Sequence, residues 1–432
     1  MAPFKVLIAG AGIGGPALAL WLARIGCDIT IVERDPKLRT TGQQIDLRGQ
    51  GIVIMKMMGI ENSVRASLCS EPGMRFIDHR GKSKAFFKAN KSGTGTQSGT
   101  SEYEIMRGDL VRILFDATKN LKGVKYVFGC YIKDFTQDEG SSGGKVHVTF
   151  SDGRQDYYDL LVGADGIGSA TRRLMLGPSF PDPRHDLGCH MSFFTAPSIP
   201  GDSTDATVCH IPGGKFVITR KDKPDNIRVY LASRGNCETV DAAKSLAEQK
   251  TALVELFKGA EGSQLDRFLK DLQESPMADD LYSQHMNQIR LPEGAWSRGR
   301  VVLLGDAAYC PTPFGGGTGT TAAIIGAYVL AGEVAKRWKG DGQLGTSGIE
   351  EAGKEYERIV RPFIMDKQNV PPWIIRAVFP QTKLGIWAFQ TIMWLIIALR
   401  IEKLFLNLAM PEESRKLQYP DYFGLKGADK DE

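Results

Sequence analysis

The chain has no Cys-x-x-Cys pair, no histidines at metal-ligand spacing, no block of like charge and no internal repeat. Each absence removes a class of function. Seven cysteines (27, 69, 130, 189, 209, 237 and 310) are odd in number and scattered, which suits reduced thiols in a cytosolic protein and argues against a disulfide scaffold. Among the six histidines, His185 and His190 lie five apart in a loop-to-strand region, and no metal is expected there. With 54 basic residues against 50 acidic ones, the formal charge of +4 forms no basic stripe, so nucleic acid is not an expected partner. A small molecule is. Near the N-terminus no small-residue cleavage site follows a continuous apolar core, so no secretory signal is read, a cytoplasmic location is expected, and the Asn90-Lys-Ser92 sequon is incidental.

What is present is organised around Lys5-Val-Leu-Ile-Ala-Gly10-Ala-Gly12-Ile-Gly-Gly15, an apolar run of strand length that flows into glycines spaced Gly-x-Gly-x-x-Gly and then into a helical pattern. Gly10 and Gly12 let the backbone turn and approach a pyrophosphate, Gly15 lets the helix lie close to the strand, and the helix N-terminus attracts the anion. A second strand pattern, Asp28 to Glu33, places an acidic side chain twenty-one residues after Gly12, where a ribose hydroxyl needs an acceptor. The unit reads as a dinucleotide-binding βαβ, and at this point FAD and NAD are both open.

At 432 residues the chain can bury a large core shared by two or three regions. Residues 42–49 read as a polar loop, followed by a short helix around Val53 to Met58. Residues 89–101 are a low-complexity excursion, read as a flexible loop. After Arg107, apolar residues 110, 113, 114 and 117 mark one helical face. Val124–Phe128 reads as a strand, and Lys145–Phe150 with Tyr158–Val162 as a hairpin about Ser-Asp-Gly153. From Leu187 to Arg234 short strands broken at Pro212-Gly-Gly214 and Lys223-Pro-Asp-Asn226 suggest a β-meander, with helices over 239–274 and a buried strand at Val301–Leu304.

Two further glycine motifs follow strand patterns: Gly163-Ala-Asp165-Gly166-Ile-Gly-Ser169 and Gly299-Arg-Val-Val-Leu-Leu-Gly305-Asp306, the latter running on through Pro311-Thr-Pro313-Phe-Gly-Gly-Gly-Thr-Gly319-Thr320. Asp306, at a strand end, can accept from a sugar hydroxyl, and 315–320 opens a helix whose free N–H groups can face an electronegative ligand. By itself Asp165 can be read as an Asx-turn between strand and helix. By itself Arg107 can be read as a solvated arginine. Together the three motifs resemble the fingerprints of the FAD-dependent aromatic hydroxylases, the single-component flavin monooxygenases typified by para-hydroxybenzoate hydroxylase, over residues 4 to about 335.

The resemblance implies an α/β fold, α+β overall: a Rossmann-like FAD-binding domain (1–75, 103–180 and 286–345) with a substrate-side excursion (76–102), an inserted β-sheet substrate domain (181–285) and a helical apolar C-terminal region (346–432). It implies FAD, with NADH or NADPH as reductant and O2 as co-substrate. The cofactor-binding set is Gly10, Gly12, Gly15, Glu33, Arg34, Arg107, Asp165, Asp306, Gly317, Gly319 and Thr320. Asp46 and Arg48 join it because Gln44-Ile-Asp46-Leu-Arg48-Gly49 looks like the corresponding loop of the tetracycline-inactivating monooxygenases. Phe193, Pro313, Phe314 and Gly315 are expected on the substrate side. The implied reaction is hydroxylation of a hydrophobic aromatic or polyketide-like molecule through a flavin C4a-hydroperoxide, with no catalytic protein side chain. Baeyer–Villiger insertion, epoxidation and flavin-dependent binding without turnover are the alternatives.

Two departures from the family pattern stand out. Tyr309 replaces a common histidine and Gly326-Ala327 a common Asp-Ala, and both are expected to reshape the substrate side. Finally, Leu384 to Leu399, continued to Ala409, is the most apolar stretch. At 16 residues it falls short of the ~20 needed to span a bilayer. A helix covering the substrate pocket, with peripheral membrane contact through 384–409 as the alternative, is expected.

Overall fold

The computed structural model describes residues 3–69, 71–90, 102–138, 144–235, 237–311, 318–338, 344–402 and 417–424. A six-stranded sheet forms the first body, in the order Ser297–Arg298, Val301–Leu303, Leu160–Gly163, Lys5–Ala9, Asp28–Glu33 and Val124–Phe128. All neighbours are parallel except the first pair. The strands are near-continuous runs of Val, Ile and Leu because helices and loops cover both faces. Helix Gly14–Arg24, buried from Gly15 to Leu22, ends at Gly26 with φ 87°, a conformation that glycine adopts without strain. It packs on the long helix Thr318–Arg337, where Trp21 meets Tyr328 edge-on at 5.0 Å. That long helix has the length and composition of a membrane span, yet its residues are core residues of this sheet.

The second body is a seven-stranded sheet, ordered Tyr282–Ile289, Arg184–Pro197, Asn226–Arg234, Lys215–Lys223, Ala206–Ile211, Gly73–Ile77 and Ser83–Lys88. Alternation along the strands gives it two apolar faces. Phe194, Val217, Val229 and Leu231 point to helices Leu246–Phe257 and Leu265–Glu274. Phe193, Phe216 and Tyr230 point the other way, where Ile375 and Phe379 from helix Pro372–Val378 and the turn after it cover them. Next to these, Phe389 of helix Lys383–Ala398 lies 4.8 Å from the His210 ring. Helix Pro372–Val378 therefore lies over the part of the face that carries Phe193, while helix Lys383–Ala398, expected to cover the pocket, lies over the far edge of the sheet on Ala85 and Phe87. The described part of the apolar stretch ends at 402, and its continuation to 409 lies outside the described residues, as do residues 91–101 of the low-complexity excursion.

Three expectations need correction. The hairpin partner of Val146–Phe150 is Gln155–Tyr158, while Leu160–Gly163 pairs with Lys5–Ala9 in the other sheet. The chain changes sheets at Asp159, whose carboxylate accepts from the Lys5 backbone N–H at 2.8 Å and thereby joins the two strands. The meander holds only for the three strands from Ala206 to Arg234, since Arg184–Pro197 pairs with the last of them and not with the next in sequence. Gln44–Leu47 is a strand and not a loop, paired antiparallel with Tyr103–Met106. In addition, Gly73–Ile77 already belongs to the larger sheet, so the excursion expected from 76 begins at Gly73.

Candidate active site

Ala9, Gly163 and Leu303 end three neighbouring parallel strands, and each is followed by one of the glycine motifs. Backbone bonds tie them side by side: Ala164 N–H to Ala9 O and Leu304 N–H to Gly163 O, both 2.8 Å. This is the carboxyl edge of a parallel sheet, where α/β folds bind ligands. Gly10 has φ 108° and a β-carbon there would collide with the Ala164 carbonyl, while one on Gly15 would collide with the Gly10 carbonyl. These two glycines are demanded by the chain itself. Gly12 is different, because a β-carbon on it would meet only Arg107 Nη2, at an ordinary 3.6 Å. Nothing among the described residues requires glycine at 12, whereas a dinucleotide pyrophosphate laid against this turn does.

Arg107 opens helix Arg107–Thr118 and reaches across to the turn. Its Nη1 donates to the Thr41 carbonyl at 3.1 Å. Burial lowers its pKa and Arg39 adds to this, while Tyr282, Asp306 and Glu33 hold its charge. Burial raises the Asp306 carboxyl above the usual carboxylate range, against the pull of Arg107 and a hydrogen bond from the Cys310 thiol. Gly319 follows closely, its notional β-carbon 3.8 Å from Asp306 Oδ1. Glu33 leans into the glycine turn, Oε2 accepting from Ala11 N–H at 2.9 Å and Oε1 from Asp35 N–H at 3.1 Å. An open glycine turn, a guanidinium beside it and two carboxylates around it form a donor and acceptor set that suits FAD.

Asp46 and Arg48 form an ion pair at 2.8 Å, and the Arg48 N–H donates to Thr321 Oγ1 at 3.1 Å, which brings the strand Gln44–Leu47 to the start of the long helix beside buried Thr320. Asp165 spends both carboxylate oxygens inside its own strand-to-helix connection, Oδ1 on Ser169 Oγ at 2.5 Å and Oδ2 on the Thr171 N–H at 3.0 Å. Arg34 is exposed just past the end of its strand. Phe193 lines a small crevice with Gly42, Tyr230 and Tyr282, on the side of the sheet that faces this region. Pro313, Phe314, Gly315 and Gly317 lie outside the described residues.

Sequence reasoning missed a buried ionic cluster. Arg220 Nη1 donates to Gln44 Oε1 at 2.7 Å, to Glu71 Oε2 at 3.1 Å and to Glu104, while the Gln44 N–H donates to Tyr230 Oη at 3.1 Å. The cluster joins the seven-stranded sheet to the short one that carries Asp46. Burial pushes the Glu104 carboxyl up from the usual carboxylate range, Arg220 pulls against it, and Asp46 and Glu71 add to the shift. A signal was available. Arg220 shares strand parity with Phe216 and Ile218, so alternation alone aims a cation inward.

Tyr309 and Gly326 do not reshape the substrate side. Tyr309 is buried in the core, its ring 4.4 Å from that of Trp296 and its hydroxyl 2.9 Å from the Tyr356 hydroxyl. A β-carbon at 326 would fall on the Tyr309 hydroxyl. The two departures are one packing solution, a larger ring accommodated by a residue without a side chain.

Residues 3–361 match the family model described as FAD binding domain. Over 426 residues the chain is 59% identical to the flavin-dependent monooxygenase eupH of Phoma sp, covering 98% of this chain and 99% of that one. The FAD-dependent monooxygenase asL4 of Sarocladium schorii is 36% identical over 442 residues, covering 98% and 99%. Among solved structures, the tetracycline destructase Tet(51) superposes with a TM-score of 0.74 at 27% identity, over 98% of this chain and all of the other. The matched region holds the three strand ends, Arg107 and Asp306, so the chain belongs to the FAD-binding-domain family and is a FAD-dependent monooxygenase.

Proposed function

We propose that the enzyme hydroxylates a hydrophobic aromatic or polyketide-like molecule held against the face of the seven-stranded sheet that carries Phe193 and Tyr230. The observation that carries this is the composition of that face: Phe193, Phe216, Tyr230 and Tyr282 are aromatic, and Tyr230 joins the Asp46 strand through the Gln44 N–H. Similarity to proteins described as tetracycline destructases supports a polycyclic substrate class.

In this reading Gly12 and Arg107 take the pyrophosphate, Glu33 a ribose hydroxyl and Asp306 a ribityl hydroxyl. Arg34 would serve the adenosine side, and Gly319 and Thr320 would offer helix N-terminal N–H groups to the cofactor. Gly10, Gly15 and Asp165 are positioning residues that shape the two turns. Asp46 and Arg48 would help to hold the flavin end. When bound, FAD supplies electron transfer from NADH or NADPH and activation of O2. The chain orients the substrate and excludes water with the Pro372–Val378 segment.

The test is turnover by the FAD-loaded enzyme with each reduced nicotinamide and a panel of polycyclic aromatics, alkenes and cyclic ketones. An aromatic that accelerates NADH or NADPH oxidation and gains one atom of labelled oxygen on its ring supports the reading. Oxygen gained only by ketones or alkenes refutes it and selects Baeyer–Villiger or epoxidising chemistry.

A further inference from the structure

Helix Lys383–Ala398 is apolar on every side. Its inner side is accounted for, since Met393 and Ile396 pack with Ala85 and Phe87 of the edge strand Ser83–Lys88, and Gln390 donates to the Ile77 carbonyl at 3.2 Å. Its outer side has no such partner among the described residues. Leu384, Trp387, Trp394 and Leu395 recur at helical spacing with exposures of 72%, 63%, 55% and 41%, and no charged residue occurs between Lys383 and Arg400. A soluble helix normally turns a charged face to water. Each end carries a cation, Lys383 paired with Glu261 at 3.0 Å and Arg400 at the other end, and the edge strand beneath contributes Lys88 and also Lys84, which pairs with Asp78 at 3.0 Å.

We propose that this outer face is a docking surface for an anionic lipid bilayer, with the helix lying in the plane of the interface. Two tryptophans on the apolar side and cations at the rim are the composition of an interfacial helix. A second copy of the chain fits less well. Sixteen residues make a helix about 24 Å long and, at about 10 Å wide, a footprint of roughly 240 Å², well short of the ~800 Å² per partner that a stable dimer buries. The length is also too short for a span. The consequence is functional: the docked helix adjoins the segment that covers Phe193 and Tyr230, so a lipid-dissolved substrate has a short path to the sheet face.

The experiment is flotation of the full-length, FAD-loaded protein with phosphatidylcholine vesicles containing 30% phosphatidylserine, and with phosphatidylcholine alone. The expected result is flotation with the anionic vesicles, at least tenfold weaker for Trp387→Glu/Trp394→Glu and weakened by Lys383→Glu/Arg400→Glu. All variants should keep parental FAD absorbance and light-scattering mass, since the altered side chains are on the outside. Failure to float, equal flotation on neutral vesicles, or equal flotation of the tryptophan variant overturns the proposal. So does a dimer that the tryptophan variant converts to monomer. None of these outcomes depends on whether an aromatic substrate is oxygenated.

Discussion

Replacing Gly326 with alanine places a methyl group where the Tyr309 hydroxyl sits, and the neighbourhood leaves that hydroxyl nowhere to go. Trp296 and Tyr356 hold the ring, Leu304 lies 3.0 Å from the new carbon, and all are buried. Overpacking of this kind costs about 1–3 kcal/mol. Displacing the ring also loses the 2.9 Å bond to Tyr356, worth about 1 kcal/mol net. Exchanging glycine for alanine inside a helix returns about 1 kcal/mol. The balance is a loss of about 1–3 kcal/mol on these figures. Tyr309→Phe by itself costs about 1 kcal/mol, because the Tyr356 hydroxyl retains the Leu303 carbonyl at 3.2 Å. In that background Gly326→Ala should be close to neutral, so the double-mutant cycle shows a favourable coupling of about 1–3 kcal/mol. Urea midpoints followed by circular dichroism and tryptophan fluorescence measure it. Because Tyr309 closes the short helix that begins at Asp306, FAD retention should fall in Gly326→Ala and return in the double variant. A Gly326→Ala protein as stable as the parent, or an equal loss in both backgrounds, would refute the packing argument.

Gly12→Ala should leave the flavin-free protein as stable as the parent, or up to about 1 kcal/mol more stable through the unfolded chain, while weakening FAD binding more than tenfold; a flavin titration with parental affinity shows that no ligand approaches the turn. Asp306→Ala should weaken FAD binding about ten- to a hundredfold, from about 1.5–3 kcal/mol for a charged acceptor, and an unchanged titration assigns Asp306 a purely structural role. Glu104 is raised to about 8 when folded, so its contribution to stability is complete below its unfolded pKa of about 4.3 and is lost as pH rises through about 8. The urea midpoint of the parent relative to Glu104→Gln should therefore decline from about pH 4.3 to pH 8, and a rise across that window contradicts the assigned burial.

The sequence by itself determined the central sheet and the position of its ligand edge. Apolar runs that end in glycine report a parallel strand and its turn through local sterics, and that information is complete within about fifteen residues of chain. Glu33, Arg107 and Asp306 were legible for the same reason, each standing at the end of a strand or the start of a helix. Alternation also announced the strands from Ala206 to Arg234, though not their neighbour Arg184–Pro197, because a pairing partner is set by long-range closure and not by pattern. Tertiary structure alone decided three matters. It gathered Gln44, Glu71, Glu104, Arg220 and Tyr230 into one cluster from four separated segments, moved Leu160–Gly163 from a hairpin into the parallel sheet, and turned Tyr309 and Gly326 from substrate-side departures into a single core contact. The physical reason is common to all three: local sequence specifies what a segment can be, while the partner of a buried charge, a strand edge or a missing side chain is fixed only by what the rest of the chain packs against it.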